Sequence, residues 1–228
     1  MAVVQLQPRL IETRVPQDPE GVVLVLHGGA ARQAETAVSP TQLSVVRMIP
    51  IARRIARRGA GRLAVYRLLN TQRGWDTTHT PVDDARWALE QIAERLGGVR
   101  PTCLVGHSLG GRAALLTAGD PAVRSVVALA PWVYATDAPV GLVDRRVLFV
   151  HGSDDRVARL DRAETVARAM SRSTDVGFVT VEGGKHAMLR HHRRFDGLAA
   201  EFAARTLLGE EPDGVLARIE GGEAWVAV

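Results

Sequence analysis

One cysteine, Cys103, is present, so no intrachain disulfide can form and nothing implies an oxidising compartment. Lysine is almost absent: Lys185 stands alone, and the positive charge is otherwise built from arginine. Aromatic residues are few, at 4%. Arginines cluster at Arg53, Arg54, Arg57 and Arg58, and again at Arg193 and Arg194. No nucleic-acid motif and no interleaved aromatics accompany them, so they read as solvated helix faces rather than a nucleic-acid surface. No apolar run approaches the length of a membrane span. The first twenty residues carry Pro8, Pro16, Asp18 and Pro19 and lack the apolar core of a signal peptide. Repeats and low-complexity tracts are also missing. The expectation is a cytoplasmic protein with no nucleic-acid partner, no membrane span, no metal and no cofactor. Oligomeric state is left open.

The 228 residues are 46% hydrophobic and 24% charged, with a formal net charge of +4. That balance suits one large domain able to bury a full core. Short apolar runs alternate with amphipathic stretches, the rhythm of βαβ units around a mostly parallel sheet with helices on both faces. Val22 to Leu26 reads as a strand buried on both sides and ends in His27-Gly28-Gly29. Met48, Ile51, Ala52 and Ile55 follow at helical spacing, with Pro50 suited to an early helical position. Leu63 to Leu69 is the next strand, followed by a turn-rich stretch over 70–80 and a helix opened by Pro81, Asp83 and Asp84. Further strands are expected at Thr102 to Gly106, Val123 to Ala130, Arg146 to Val150 and Val176 to Val181. Helices are expected around Ala113 to Leu116, at Leu160 to Met170 and at Phe195 to Leu208.

Gly106-His107-Ser108-Leu109-Gly110 fits G-x-S-x-G between a buried strand and a helix. The spacing has a mechanical reason. A serine on a sharp strand-to-helix turn needs small residues two before and two after it, so that the chain passes without collision. Its hydroxyl then stands above the carboxyl edge of the sheet, where parallel sheets bind ligands. A serine hydroxyl needs a base to become a nucleophile. Of the seven histidines, His186 lies in the loop after the last expected strand. His191 and His192 read as solvated, and His79 lies in a loop that can line a cleft. The base needs an orienting acid, and Asp154 and Asp155 follow the strand ending at Val150. One of the two is expected to orient the histidine and the other to cap or shape the loop. The backbone N–H of Leu109 is the expected first donor to an oxyanion, and that of Gly29 the second.

The succession HGG, GHSLGG, HGSDDRV and GGKHAM resembles the α/β-hydrolase superfamily, specifically its compact lipase, esterase and dienelactone-hydrolase-like members. The chain order Ser, Asp, His is theirs. The resemblance runs from about Val22 to Leu208 and implies the α/β-hydrolase fold. It places the acid at the last position of H-G-x-x-D, which is Asp155, beside Ser108 and His186. Dienelactone hydrolases carry a cysteine nucleophile, whereas Ser108 occupies that position here and Cys103 lies inside a strand. The fuller HGGG of some esterases is absent, because Ala30 follows Gly29.

About fifteen residues separate the strand ending near Ala130 from that starting near Arg146, too few for a helical cap domain. An open, lidless site is expected, with residues 30–41 and 70–80 as the alternative places for a mobile cover. Trp132 and Tyr134 follow one strand end and Trp75 another; each is placed either to line a substrate pocket or to pack under a loop. The expected activity is hydrolysis of a carboxylic ester or related small acyl compound through an acyl-enzyme. Thioesterase, perhydrolase and peptidase chemistry use the same triad, and a non-catalytic binding fold is the alternative of another class. Residues 1–208 form the expected hydrolase domain. Residues 209–228 contain Val215, Leu216, Ile219, Trp225, Val226 and Val228, and are expected to pack on that domain, as a hairpin turning at Gly221-Gly222, or else on a second subunit.

Overall fold

The computed structural model describes residues 7–29, 37–75 and 79–228. The strands are β1 (Arg9–Arg14), β2 (Gly21–Leu26), β3 (Leu63–Leu69), β4 (Thr102–His107), β5 (Val123–Leu129), β6 (Arg146–Gly152), β7 (Asp175–Val181) and β8 (Trp225–Ala227). They form one sheet in the order β1-β3-β2-β4-β5-β6-β7-β8. Only the β1–β3 pair is antiparallel. The helices are α1 (Leu43–Val46), α2 (Met48–Arg58), α3 (Thr80–Arg95), α4 (Leu109–Leu116), α5 (Leu160–Met170), α6 (His192–Leu208) and α7 (Gly214–Glu220).

Strand periodicity divides the core into two layers. Leu24, Tyr66, Leu104, Val126 and Phe149 face α3, α4 and α5. Val25, Val65, Val105, Val127 and Val150 face the other way, onto Met48, Ile51 and Ile55 of α2 and Phe195, Ala199 and Phe202 of α6. Such two-sided burial explains why the central strands read as unbroken apolar runs. Pro50 is the third residue of α2, within the first turn, where its missing N–H costs no helical bond.

Two elements differ from the sequence reading. β1 was not legible because Arg9-Leu10-Ile11-Glu12-Thr13-Arg14 is an edge strand with little apolar content. Residues 209–228 form a helix and a strand rather than a hairpin. Leu216 of α7 is buried in the second core layer, and β8 extends the sheet in parallel beside β7. Trp225 stacks on Phe178 with ring centroids 6.3 Å apart. Between β5 and β6 the described chain contains only a short 3-10 turn, Ala135–Asp137, and no cap domain. Parts of the two alternative covers, residues 30–36 and 76–78, lie outside the described residues.

Glu220 at the end of α7 fastens this segment to the sheet. It accepts from Arg205 at 2.9 Å through both oxygens and from Arg146 at 2.7 Å. The bonds from Arg205, opposed by burial and joined by Arg146, hold its carboxyl at about 2, below the usual 4.5. A lowered folded value means that the stabilisation is complete above the unfolded value and disappears as pH falls toward the folded one. Glu220→Gln is therefore expected to lower Tm relative to the parent at neutral pH. Calorimetry should show that gap closing as pH falls from 4.5 to about 2; a gap independent of pH would refute the ion-pair origin.

Candidate active site

β3 and β4 flank β2, so consecutive connections diverge at the carboxyl end of β2. Open α/β sheets place their ligand crevice at such a switch point. His27-Gly28-Gly29 leaves β2 there, and Ser108 leaves β4 beside it. The loops after β6 and β7 bring Asp155 and His186 over the same edge.

Ser108 has φ 56° and ψ −119°, outside the regions that non-glycine residues favour. A Cβ at Gly106 would overlap the carbonyl of Gly110, and one at Gly110 would overlap that of Leu26. The two glycines of the motif are thus the space through which the turn passes. The Ser108 N–H donates to the Leu129 carbonyl at 3.0 Å, and the Ser108 carbonyl accepts from Arg112 and Trp132, both at 3.1 Å. Strain at the serine is held by the adjacent strand, by its own helix and by the loop after β5.

Ser108, His186 and Asp155 are brought together. Ser108 Oγ lies 3.0 Å from His186 Nε2, and His186 Nδ1 lies 2.8 Å from Asp155 Oδ2. The other oxygen, Oδ1, accepts the N–H groups of Val157 and Ala158 at 2.8 and 2.9 Å. His151 Nε2–H donates to Ala158 O at 3.0 Å and lies 3.4 Å from Asp155 Oδ2. Desolvation pushes the Asp155 carboxyl upward, but the neighbouring His151 and His186 side chains outweigh it and hold the group well below the usual carboxylate range. An ionised Asp155 requires the proton of His186 to sit on Nδ1, which leaves Nε2 free to accept from Ser108. Asp154 is exposed, and its carboxylate faces Ser153 instead.

The loops carrying the acid and the histidine are bonded to each other. Ser153 N–H donates to Val181 O at 3.0 Å, Asp154 N–H to Gly184 O at 2.9 Å, and Gly183 N–H to Ser153 Oγ at 2.8 Å. Two buried side chains then hold the histidine's backbone from below. His107 Nε2–H donates to His186 O at 2.8 Å, and Arg47 Nε–H donates to Ala187 O at 3.0 Å. Arg47 also pairs with Asp196 at 2.7 Å. Burial first, then repulsion from the His186 charge, pushes the His107 imidazole down to about 3, so it stays neutral beside its neighbour. The sequence reading missed both supports. His107 was visible as the residue before the serine, but nothing in the spacing linked Arg47 to Asp196, 149 positions away.

A cleft of about 450 Å³ opens over Ser108. Its lining includes Gly29 and Leu109, the residues whose N–H groups were expected to face an oxyanion. Leu109 is the first residue of α4, so its N–H has no acceptor within the helix. Gly29 packs against the Arg73 carbonyl, which a Cβ there would overlap. His27 fixes this turn: Nδ1–H donates to Gly28 O at 2.6 Å while Nε2 accepts the Asn70 N–H at 3.2 Å. Of the three aromatics proposed for the pocket, Trp132 lines the cleft and Trp75 and Tyr134 do not. Those two flank Arg112, whose guanidinium lies 4.1 Å from the Trp75 ring centre and 5.0 Å from that of Tyr134. Arg112 Nη2 donates to Asp137 Oδ1 at 2.9 Å, and its Nε lies 2.7 Å from Oδ2. A buried cation needed these rings and this acid more than the substrate cleft did. His79 contacts the Trp75 ring, and His192 is bonded to Leu189 O; neither reaches Ser108. Among the described residues no cluster of side chains is arranged to hold a metal ion. Among the described residues no helix is long and apolar enough to cross a membrane.

Over residues 22–159 the chain matches the alpha/beta hydrolase family, and it belongs to that family. No curated protein sequence matches it. Among solved structures it is similar to Est1E from Butyrivibrio proteoclasticus, with a TM-score of 0.64 and 14% identity over 88% of this chain and 94% of that one. It is similar also to an esterase from Pyrobaculum calidifontis, with a TM-score of 0.63 and 16% identity over 88% of this chain and 81% of the other. An alpha-beta serine hydrolase homologue from Coxiella burnetii gives a TM-score of 0.63 and 16% identity over 85% and 89% of the two chains. At these identities the likeness concerns the fold.

The Arg47–Asp196 pair is the most exposed of these supports to experiment, since both side chains are less than a tenth accessible (8% and 4%). Arg47→Met leaves a buried carboxylate without its partner and is expected to cost about 3 kcal/mol of unfolding free energy. Arg47→Met with Asp196→Leu should recover most of it. Urea denaturation of the three proteins checks this, and equal stability of the single and double variants would refute it.

Proposed function

We propose that this protein is a serine esterase that hydrolyses small carboxylic esters through an acyl-enzyme. The hydrogen-bonded run Ser108–His186–Asp155 at the mouth of the cleft carries the reading. The esterases among its structural neighbours support it.

In this mechanism Ser108 Oγ attacks the ester carbonyl while His186 Nε2 takes the hydroxyl proton. The carbonyl oxygen becomes an oxyanion and is met by the N–H groups of Leu109 and Gly29. The positive end of α4 points at the same place. The tetrahedral species collapses, the bond to the alcohol oxygen breaks, and His186 returns its proton to that oxygen. The acyl group is now on Ser108. Water repeats the sequence, with His186 as base again, and releases the carboxylic acid. Asp155 remains a carboxylate throughout and stabilises the imidazolium at each proton transfer. His107 and Arg47 act as positioning residues by holding the backbone of His186 and Ala187.

Ser108→Ala is expected to lower kcat on a p-nitrophenyl ester by on the order of 10⁴-fold or more with the fold intact. It should also abolish labelling by a fluorophosphonate probe. Near-parental turnover by the purified variant would overturn the assignment. The two aspartates separate in the same assay. Asp155→Asn removes the group that fixes the tautomer and should cost about 10³-fold or more. Asp154→Asn changes an exposed side chain and should stay within about threefold. Equal losses would show that the loop, rather than the carboxylate, is what the reaction needs.

A further inference from the structure

Scattered exposed apolar side chains are ordinary, but a cluster of them rimmed by polar surface marks a place where something binds. Leu43, Val46, Val157 and Leu189 are all exposed, Leu43 at 86% and Leu189 at 68%. All four line the cleft that holds Ser108 and His186. They come from three separate segments: α1, the loop after Asp155 and the loop after His186. Leu109 and Trp132 continue the same apolar wall toward Ser108. No sequence periodicity puts them there, because each is the outward residue of an unrelated segment.

The wall offers little to a charged substrate. Among the described residues no carboxylate lines it, and apart from the histidines Arg47 is the only basic residue there. The Arg47 guanidinium is already engaged by Asp196 and the Ala187 carbonyl. His107 is neutral and donates to the His186 carbonyl. The hydrogen-bonding groups left to meet a ligand therefore concentrate around Ser108, where an ester group would lie. Apart from the Ser44 hydroxyl, which accepts from Gln42 Nε2 at 2.8 Å, the rest of the described groove is mostly hydrocarbon. Its 450 Å³ corresponds to about fifteen non-hydrogen atoms if each takes the roughly 30 Å³ that a water occupies in the liquid. An ester group and its immediate substituents use about five of these.

We infer that the groove between Leu43, Val46, Val157 and Leu189 takes a linear aliphatic chain of about six to ten carbons on the ester substrate. The inference rests on the esterase reading above and adds the substrate class to it. The chain leaves water as it lies between the exposed leucines and valines, and it covers their side chains in turn. Each methylene fully withdrawn from water is worth about a fourfold gain in binding, and about twofold when half-covered, as in an open groove. Because the chain is bound in the transition state too, the gain appears in kcat/KM.

The test uses the full chain and p-nitrophenyl esters from acetate to dodecanoate, kept below their micelle thresholds. A parallel series of acetates from ethyl to octyl places the aliphatic part on the alcohol instead. In one of the two series, kcat/KM is expected to rise about two- to fourfold per methylene and to level off near eight to ten carbons. In the double variant Leu43→Ser, Leu189→Ser, both changes fall on exposed positions. The octanoate-to-acetate ratio, or its alcohol counterpart, should then fall about tenfold. A flat or falling profile in both series overturns the inference, and so does an unchanged ratio in the double variant. If light scattering shows that the double substitution dissociates a dimer while the ratio stays the same, the patch belongs to a second copy of the chain and the inference fails. These failures are distinct from failure of the esterase reading. In that case no ester turns over at any chain length, and Ser108 does not react with the fluorophosphonate.

Discussion

Holding Ser108 at φ 56° costs roughly 1–3 kcal/mol relative to an unstrained residue. That cost is met locally and organises much of what surrounds it. The chain must bend so sharply after β4 that the carbonyls of Leu26 and Gly110 come against Gly110 and Gly106, leaving no room for a side chain at either glycine. The bend in turn puts Leu109, the first residue of α4, in the lining of the cleft and presents Oγ to His186. Arg112, one turn into α4, completes the arrangement. Its guanidinium is wedged between two aromatic rings and closed by Asp137, so the helix that starts at the serine is fixed to the loop after β5. The same loop supplies the Trp132 N–H that holds the Ser108 carbonyl.

The candidate acid, Asp155, and the candidate base, His186, are organised by different means. Neither sits in a strand. Each lies in a loop, and loops are the mobile part of most domains. Here the two loops are bonded to one another through Ser153, Asp154, Gly183 and Gly184, and both are held from beneath by side chains that take no part in proton transfer. His151 serves the acid, and His107 and Arg47 serve the base. The imidazole of His151 is fully enclosed in protein and that of His107 nearly so, and both use their Nε2–H groups to donate to backbone carbonyls. In the proposed mechanism His186 gains and loses a proton within this fixed frame.

Most of the sheet and the three residues of the candidate triad were legible in the sequence, for physical reasons. Strands buried on both faces must be apolar throughout, so β2 to β7 announced themselves. The amphipathic spacing of α2 did the same through Met48, Ile51, Ala52 and Ile55, all of which are buried. The G-x-S-x-G spacing carried its own steric explanation. What stayed hidden depended on contacts rather than on pattern. β1 owes its existence to pairing with β3 and has no apolar face of its own. The fold of residues 209–228 depends on the open edge of β7, on the apolar surface that buries Leu216 and on two arginines that pair with Glu220. Trp75 and Tyr134 carry the same residue types that line substrate pockets. Only the position of Arg112 shows why they are used elsewhere.

Ser108 leaves β4 and His186 follows β7, with β5 and β6 between them. Three strand spacings of about 4.8 Å put those strand ends roughly 14 Å apart. Yet the two side chains are within 3.0 Å of each other. The loop from Val181 to His186 must therefore lean back across two neighbouring strands to reach the serine. A residue of chain spans at most about 3.5 Å. Removing one residue from this loop would thus shorten its reach by about the length of the hydrogen bond it has to make. The reach of this short span is a mechanical tolerance of the protein, and insertions or deletions are far less affordable here than at the sheet's outer edges.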